Sequence, residues 1–192
     1  MSAHDPSNGY EGVAEQFIRA RSEIGSATVR DWAAQLPNGA HVLDLGCGHG
    51  DPNIPILLDV GCRVSAIDAA PSLLSVLKDH YPAVETACEP VETSDFFGRK
   101  FDGILAVGLI FLLPRDAQSR LIQNVSDALK PSGRFLVAAP QRSGSWEDLV
   151  TKRRSVSLGD EIYKTNLLKA GFEAIESRWD RGGSHYYSAQ KA

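Results

Sequence analysis

Apolar positions in this chain follow two periods. The first is helical. About Tyr10 to Arg21 places Val13, Phe17 and Ile18 on one face, and Thr28 to Leu36 carries Val29, Trp32 and Ala33 before the break at Pro37-Asn38-Gly39. Short apolar runs then alternate with helical stretches. Val42 to Leu45 predicts a strand, Pro52 to Asp59 a helix ended by Gly61, Cys62 to Ile67 a second strand ending at Asp68, and Ser72 to His80 a helix with Leu73, Leu74, Val76 and Leu77 inward. Ala83 to Ala87 predicts a short third strand and Phe101 to Val107 a stronger fourth. Pro114 to Leu129 predicts a helix striped by Leu121, Ile122, Val125 and Leu129, which Pro131-Ser132-Gly133 breaks before a fifth strand from Arg134 to Ala139. Such alternation indicates βαβ units and a parallel sheet.

The C-terminal part reads differently. Pro140 to Gly159 is polar with few core positions. It reads either as a lid over a site or as plain surface with Trp146 packed beneath. Asp160 to Ala170 predicts a helix closed by Gly171. Phe172 to Trp179 and His185 to Gln190 predict two strands joined by Asp180-Arg181-Gly182-Gly183-Ser184, a link suited to an antiparallel hairpin. The expected organisation is an N-terminal helical cap (1–36) on an α/β domain (37–192), one globular unit overall.

Composition narrows the class. At 192 residues, 43% of them hydrophobic, the chain is long enough for one domain with a sizeable core. A net charge of −4 gives no general attraction to nucleic acid, and the basic triplet Lys152-Arg153-Arg154 reads as a solvated loop. No apolar run reaches the roughly 20 residues that span a bilayer, and Met1 to Gly9 holds no signal-peptide core. Cys47, Cys62 and Cys88 match neither a metal pattern nor a disulfide framework. The expectation is a soluble, cytoplasmic protein with reduced thiols, no metal and no membrane partner.

The candidate chemistry lies in Val42 to Gly50. An apolar run passes through Asp44 into Gly46, Gly48 and Gly50, so a strand opens into a turn where backbone can press against a ligand. Pro52 and Pro55 follow, and a helix N-terminus there would offer N–H groups to an anion. About twenty residues on, Asp68 ends the second strand, where an acidic side chain accepts hydrogen bonds from two ribose hydroxyls. Asp68 also suits a helix cap, because Pro71 and Ser72 follow. Ala87-Cys88-Glu89 and Val107-Gly108-Leu109 end other strands at the same edge, where open α/β sheets bind ligands. A dinucleotide fingerprint requires G-x-G-x-x-G. Here the third glycine comes early, at Gly50, and Asp51 takes the dinucleotide position, which disfavours a pyrophosphate.

Taken together, the chain resembles a class I S-adenosylmethionine-dependent methyltransferase. The glycine turn resembles that family's first motif, apolar–apolar–D–x–G–x–G–x–G. Phe101-Asp102-Gly103-Ile104-Leu105 resembles its fourth-strand motif, and Leu129-Lys130-Pro131-Ser132-Gly133-Arg134-Phe135-Leu136 its turn into the fifth strand. The resemblance covers about Tyr10 to Lys191. It implies a Rossmann-like seven-stranded mixed sheet with helices on both faces, the last strand antiparallel and tucked between the fifth and sixth. It implies S-adenosyl-L-methionine as methyl donor, leaving S-adenosyl-L-homocysteine. Backbone at Gly46, Cys47 and Gly48 would hold the methionyl part, with Asp44 orienting the loop and reaching the amino group. Asp68 would take the ribose hydroxyls and Ala69 would pack on the adenine. Cys88 or Glu89 would stand at the adenine amino group, and Val107 and Phe111 would flank the methionyl chain and methyl.

The acceptor is less explicit. The segment Val107 to Pro114 lacks the Asn/Asp-Pro-Pro-Tyr/Phe motif with which related enzymes hold an amide or a base amine, which disfavours a nucleic-acid acceptor. Short length and a cap built from the termini favour a small-molecule acceptor. The alternatives are an RNA or protein methyltransferase, or a non-catalytic S-adenosylmethionine-binding partner subunit. Methyl transfer needs alignment and exclusion of water, with a general base only where the acceptor must lose a proton. Candidates for that base are His49, Tyr10 and His185, with Tyr163 and Tyr186 also expected near the mouth. Arg19 and Arg21 read either as contacts to an acidic group or as a solvated helix face.

Overall fold

Strands of the parallel type need a crossover between them, and here each crossover is a helix or a helical turn. The computed structural model describes residues 5–192. The first four residues of the polar N-terminal stretch and of the expected cap lie outside the described residues. After a 3-10 turn at Glu11–Val13 come α1 (Ala14–Ala20) and α2 (Ser26–Ala33). Then follow β1 (His41–Leu45), α3 (Asn53–Asp59), β2 (Arg63–Asp68), α4 (Pro71–His80), β3 (Glu85–Cys88) and β4 (Phe101–Ala106). The chain continues through α5 (Arg115–Ala128), β5 (Leu129–Ala138), β6 (Gly144–Glu147), β7 (Arg154–Ser157), α6 (Asp160–Lys169), β8 (Phe172–Trp179) and β9 (His185–Lys191).

Seven strands form one sheet in the order β3-β2-β1-β4-β5-β9-β8. The first five are parallel, and β9 runs antiparallel to both β5 and β8. This is the Rossmann-like mixed sheet expected from the sequence, with the last strand, β9, inserted between β5 and β8. The chain runs outward from β1 to β3 and returns to β4 beside β1. The carboxyl ends of β1 and β4 therefore flank the point where strand order reverses, the usual ligand crevice of such sheets.

Both faces of the sheet are covered, which is why its central strands read as continuous apolar runs. Leu43 and Leu45 of β1 join a cluster with α5 and α6, through Leu121, Ile122, Val125 and Leu167. Val42, one residue out of phase, joins Val29 and Trp32 of α2, Ile54 and Leu57 of α3 and Leu77 of α4 on the other face. Thus α2 is part of a helical layer, while α1 packs with Tyr10 against Ala70 and Leu73 at the carboxyl edge.

Two stretches differ from their sequence reading. Leu129 to Gly133 does not simply break the fifth strand. Leu129 pairs with Phe101, the register shifts, and pairing resumes at Gly103 with Arg134. The excursion lets Lys130 reach both carboxylate oxygens of Asp102 at 2.9 Å, while Asp102 also accepts from the His41 N–H at 2.9 Å. Residues 140–159 are not a loop but carry the antiparallel hairpin β6–β7. Its first strand is exposed at every residue, so no apolar alternation marks it in the sequence. Gln118 anchors its base, donating to the Leu113 and Val156 carbonyls at 2.9 Å.

Gly103 explains part of the fourth-strand motif. A Cβ there would lie 2.9 Å from Trp32 Cη2 and from Leu36 Cδ1, and Trp32 is fully buried. Gly103→Ala should therefore cost about 1–3 kcal/mol of stability through overpacking. Chemical denaturation with an unchanged midpoint would show that Trp32 does not need this seat.

Candidate functional site

At the end of β1 the backbone turns through two left-handed glycines, Gly46 (φ 67°) and Gly48 (φ 57°). Side chains close over both. A Cβ at Gly46 would lie 3.0 Å from Leu109, and one at Gly48 would lie 3.1 Å from Phe17 Cε1. The turn is held from β2. The Ile67 carbonyl accepts from Gly46 N–H (2.8 Å) and Cys47 N–H (3.1 Å), and Asp68 Oδ2 accepts from Gly48 N–H (2.8 Å). Gly50 N–H donates to Cys47 O, and Ile54 N–H to Gly50 O. The N–H groups of Gly46, Cys47, Gly48, Gly50 and Ile54 are therefore already paired within the fold. Carbonyl acceptors remain, which suit a ligand's ammonium.

Asp68 satisfies both of its sequence readings at once. Its Oδ1 accepts from Ala70 N–H at 2.8 Å ahead of α4, its Oδ2 holds the glycine turn, and the side chain lines a cavity of about 250 Å³. Burial pushes its carboxyl upward, and these N–H bonds oppose the shift. Gly46, Cys47, Gly48, Ala69, Glu89, Val107 and Phe111 line the same cavity. Of the two candidates at the end of β3, Glu89 lines it and Cys88 does not; Cys88 is exposed. Adjacent residues leaving a strand point to opposite sides, so only one of the pair can face the crevice.

Asp44 sits outside the lining, fully buried at 0% exposure. Its Oδ2 accepts from Asn53 Nδ2 at 3.4 Å, and its Oδ1 has no partner. Burial raises its carboxyl to about 7, with the Asn53 hydrogen bond and the Arg21 charge opposing. A buried acceptor this poorly served is suited to an incoming cation.

The structure separates the remaining candidates. Arg21 lines the cavity, donates to Asp51 O at 3.1 Å and lies 5.9 Å from the Phe17 ring centroid. Arg19 pairs with Glu15 on an exposed helix face. Tyr10 lines the cavity and donates to Asp148 Oδ2 at 3.3 Å. His49 does not line it. It is 4% exposed, packed edge-on against Phe17, with Nε2 3.9 Å from Asp51, and burial lowers its pKa. His185 is also away from the cavity, on β9, with Nδ1 3.2 Å from the Ala139 carbonyl between the rings of Trp179 and Tyr187. Of the expected base candidates, His49 and His185 therefore stand outside the cavity: one packs on Phe17, and the other belongs to the sheet. Tyr163 and Tyr186 are likewise buried in the core.

Residues 5–10 and the β6–β7 hairpin roof the cavity. Trp146 of the hairpin packs on Phe111 with ring centroids 5.5 Å apart, and Arg153 pairs with Asp5 at 2.9 Å. Asp148 enters the lining through this hairpin. Sequence reading missed it, because it lies in a segment without apolar period. Its one local signal is Asp148-Leu149-Val150-Thr151, in which Asp148 Oδ1 accepts from the Val150 and Thr151 N–H groups. Among the described residues no group of three or more His, Cys, Asp or Glu could hold a metal ion, and no helix is long and apolar enough to cross a membrane.

The geometry agrees with known proteins. Residues 42–133 match a family model described as a methyltransferase domain. The match takes in the glycine turn, Asp68 and the fourth-strand motif, a little under half of the chain. The chain is 31% identical over 109 residues to ubiquinone biosynthesis O-methyltransferase of Coxiella burnetii, covering 55% of this chain and 45% of that protein. It spans about half the length of the curated relatives it matches. Its fold is similar to that of the CcbJ methyltransferase from Streptomyces caelestis, with TM-score 0.79, 16% identity and coverage of 98% and 99%. It is also similar to 1,6-didemethyltoxoflavin-N1-methyltransferase of Burkholderia thailandensis, solved with 1,6-didemethyltoxoflavin and S-adenosylhomocysteine, with TM-score 0.68, 23% identity and coverage of 97% and 90%.

A pH test follows from Asp44. Its folded pKa near 7 lies above the unfolded value of about 3.9, so the folded state binds the extra proton between them. Stability from this site falls as pH rises through that window. Asp44→Asn should raise the melting temperature relative to the parent, little at pH 5 and more at pH 8. A difference that does not grow with pH would show that Asp44 carries no such penalty.

Proposed function

We propose that this chain transfers the methyl group of S-adenosyl-L-methionine to a small-molecule acceptor and releases S-adenosyl-L-homocysteine. The observation that carries this reading is convergence. The glycine turn, Asp68, Glu89 and the segment after β4 meet in one roofed cavity at the switch point of the sheet. The cofactor's ammonium also fits a feature that is otherwise unexplained: Asp44 Oδ1 is buried without a partner.

In this reading Asp68 accepts from the ribose hydroxyls with its remaining lone pairs. Ala69 packs on the adenine, and Glu89 accepts from its amino group. Carbonyls of the Gly46–Gly48 turn, with Asp44 behind them, receive the ammonium, and Arg21 receives the carboxylate. Val107, Leu109 and Phe111 keep water from the reacting carbon. When bound, the cofactor supplies a methyl group already activated by its sulfonium. The protein's part is therefore to align the acceptor and exclude solvent, and no nucleophilic side chain is required. Tyr10, alone of the three base candidates, reaches the cavity.

Two further observations support a small acceptor. Among the described residues the cavity lining includes Asp68, Glu89, Glu92 and Asp148 against one cation, Arg21, a poor surface for a phosphodiester backbone. The relatives' names also point to small molecules, ubiquinone biosynthesis in one and 1,6-didemethyltoxoflavin in another.

Thermal unfolding should shift upward with S-adenosylmethionine and S-adenosylhomocysteine, and not with NAD or NADP. A shift with NAD alone would sink the reading. Asp68→Ala should weaken S-adenosylhomocysteine binding by about 1–3 kcal/mol, the usual loss when a buried hydroxyl loses its acceptor. Unchanged affinity in calorimetric titration would refute that role.

A further inference from the structure

Asp148 is an unusual resident of this cavity. Its Oδ1 is fully engaged, accepting from Val150 N–H (2.9 Å), Thr151 N–H (2.8 Å) and Thr151 Oγ1 (3.1 Å). Its Oδ2 has one long bond, from the Tyr10 hydroxyl at 3.3 Å. Burial and the nearby Asp148 charge hold the proton on Tyr10, so Tyr10 remains a donor. The neighbouring cations are engaged elsewhere: Arg153 with Asp5, Arg154 with Ser145 Oγ, and Arg21 with the Asp51 carbonyl. Among the described residues, none of the ion pairs includes Asp148. A carboxylate is thus held by its own turn at the wall of a mostly apolar cavity, with one oxygen bound only by the long Tyr10 contact and no ion-pair partner among the described residues.

Its origin separates it from the cofactor half. Asp44, Asp68 and Glu89 come from the ends of β1, β2 and β3, whereas Asp148 arrives from the roof with the β6–β7 hairpin. Tyr10 contacts it, and the apolar side chains Phe111, Leu112 and Leu113 line the same cavity. Building on the proposed function, we infer that the methyl acceptor is an amine on an apolar or aromatic body, recognised as its ammonium ion by Asp148. A fixed carboxylate in a partly desolvated pocket favours a cation over a neutral hydroxyl of the same shape. The ammonium then gives one proton to water. The nitrogen lone pair forms the new N–C bond as the methyl C–S bond breaks, and that bonding pair stays on sulfur.

The test uses the full chain saturated with S-adenosylhomocysteine. Matched probes are titrated calorimetrically: phenethylamine against 2-phenylethanol, and benzylamine against benzyl alcohol. Each amine should bind at least about tenfold more tightly than its alcohol, the size expected for one charge-assisted contact. Asp148→Asn keeps an oxygen for the turn N–H groups and removes the charge. It should erase the amine preference while leaving S-adenosylhomocysteine affinity within about twofold. Tyr10→Phe, which keeps the carboxylate, should retain the preference. Alcohols binding as well as amines, no amine binding at all, or a preference that survives in Asp148→Asn would each overturn the inference. Failure of S-adenosylhomocysteine itself to bind would instead refute the proposed function.

Discussion

Two neighbouring groups at the end of β2 hold the whole site in place. The Ile67 carbonyl and the Asp68 carboxylate together accept three consecutive N–H groups of the glycine turn. This requires β1 and β2 to pair in parallel with Leu45 opposite Ile67, so that both strands end at the same level. A register slip of one residue would turn the core side chains of β1 to the wrong face and remove the acceptors from beneath the turn. The second oxygen of Asp68 reaches Ala70 at the start of α4, so one carboxylate joins the first loop to the second crossover. Left-handed glycines are tolerated here because these bonds offset the disorder that glycine allows.

The rest of the architecture supplies walls to that fixed floor. Gly103 lets Trp32 and Leu36 approach β4 closely, which brings α2 onto the sheet. Asp102, at the opposite edge, ties the starts of β1 and β5 to β4. The roof is held differently, by paired aspartates in tight turns. Asp5 accepts from Ser7 and Gly9 and pairs with Arg153; Asp148 accepts from its own turn and from Tyr10. Such contacts are polar and partly exposed, hence individually weak. Roofs of this kind belong to the low-stability end of a fold, where a ligand must enter.

Much of this was legible in the chain. The strand and helix order of the main sheet, the antiparallel hairpin at its end and the placing of Gly46, Gly48, Asp68 and Val107 at one edge followed from period and spacing, while Ala69 and Phe111 came from the family resemblance. The choice between Cys88 and Glu89 did not, because a shift of one residue at a strand end reverses the face. Nor did the exclusion of His49 and His185. A histidine beside a glycine loop, or on a strand, has the same sequence appearance whether it faces the crevice or packs on Phe17 or Tyr187.

The amino-acid sequence by itself determined the sheet, its glycine turn and the acid at the end of β2. Those depend on local period, on glycine's freedom and on short-range spacing. Only the tertiary structure decided which polar groups share a cavity. Tyr10 and Asp148 are 138 residues apart in the chain. Their meeting depends on how the N-terminal segment and the exposed β6–β7 hairpin fold over Phe111, contacts that no periodicity encodes. The part of the cavity at the strand ends was therefore readable in advance, and the roof was not, because it is assembled from elements that have no core of their own.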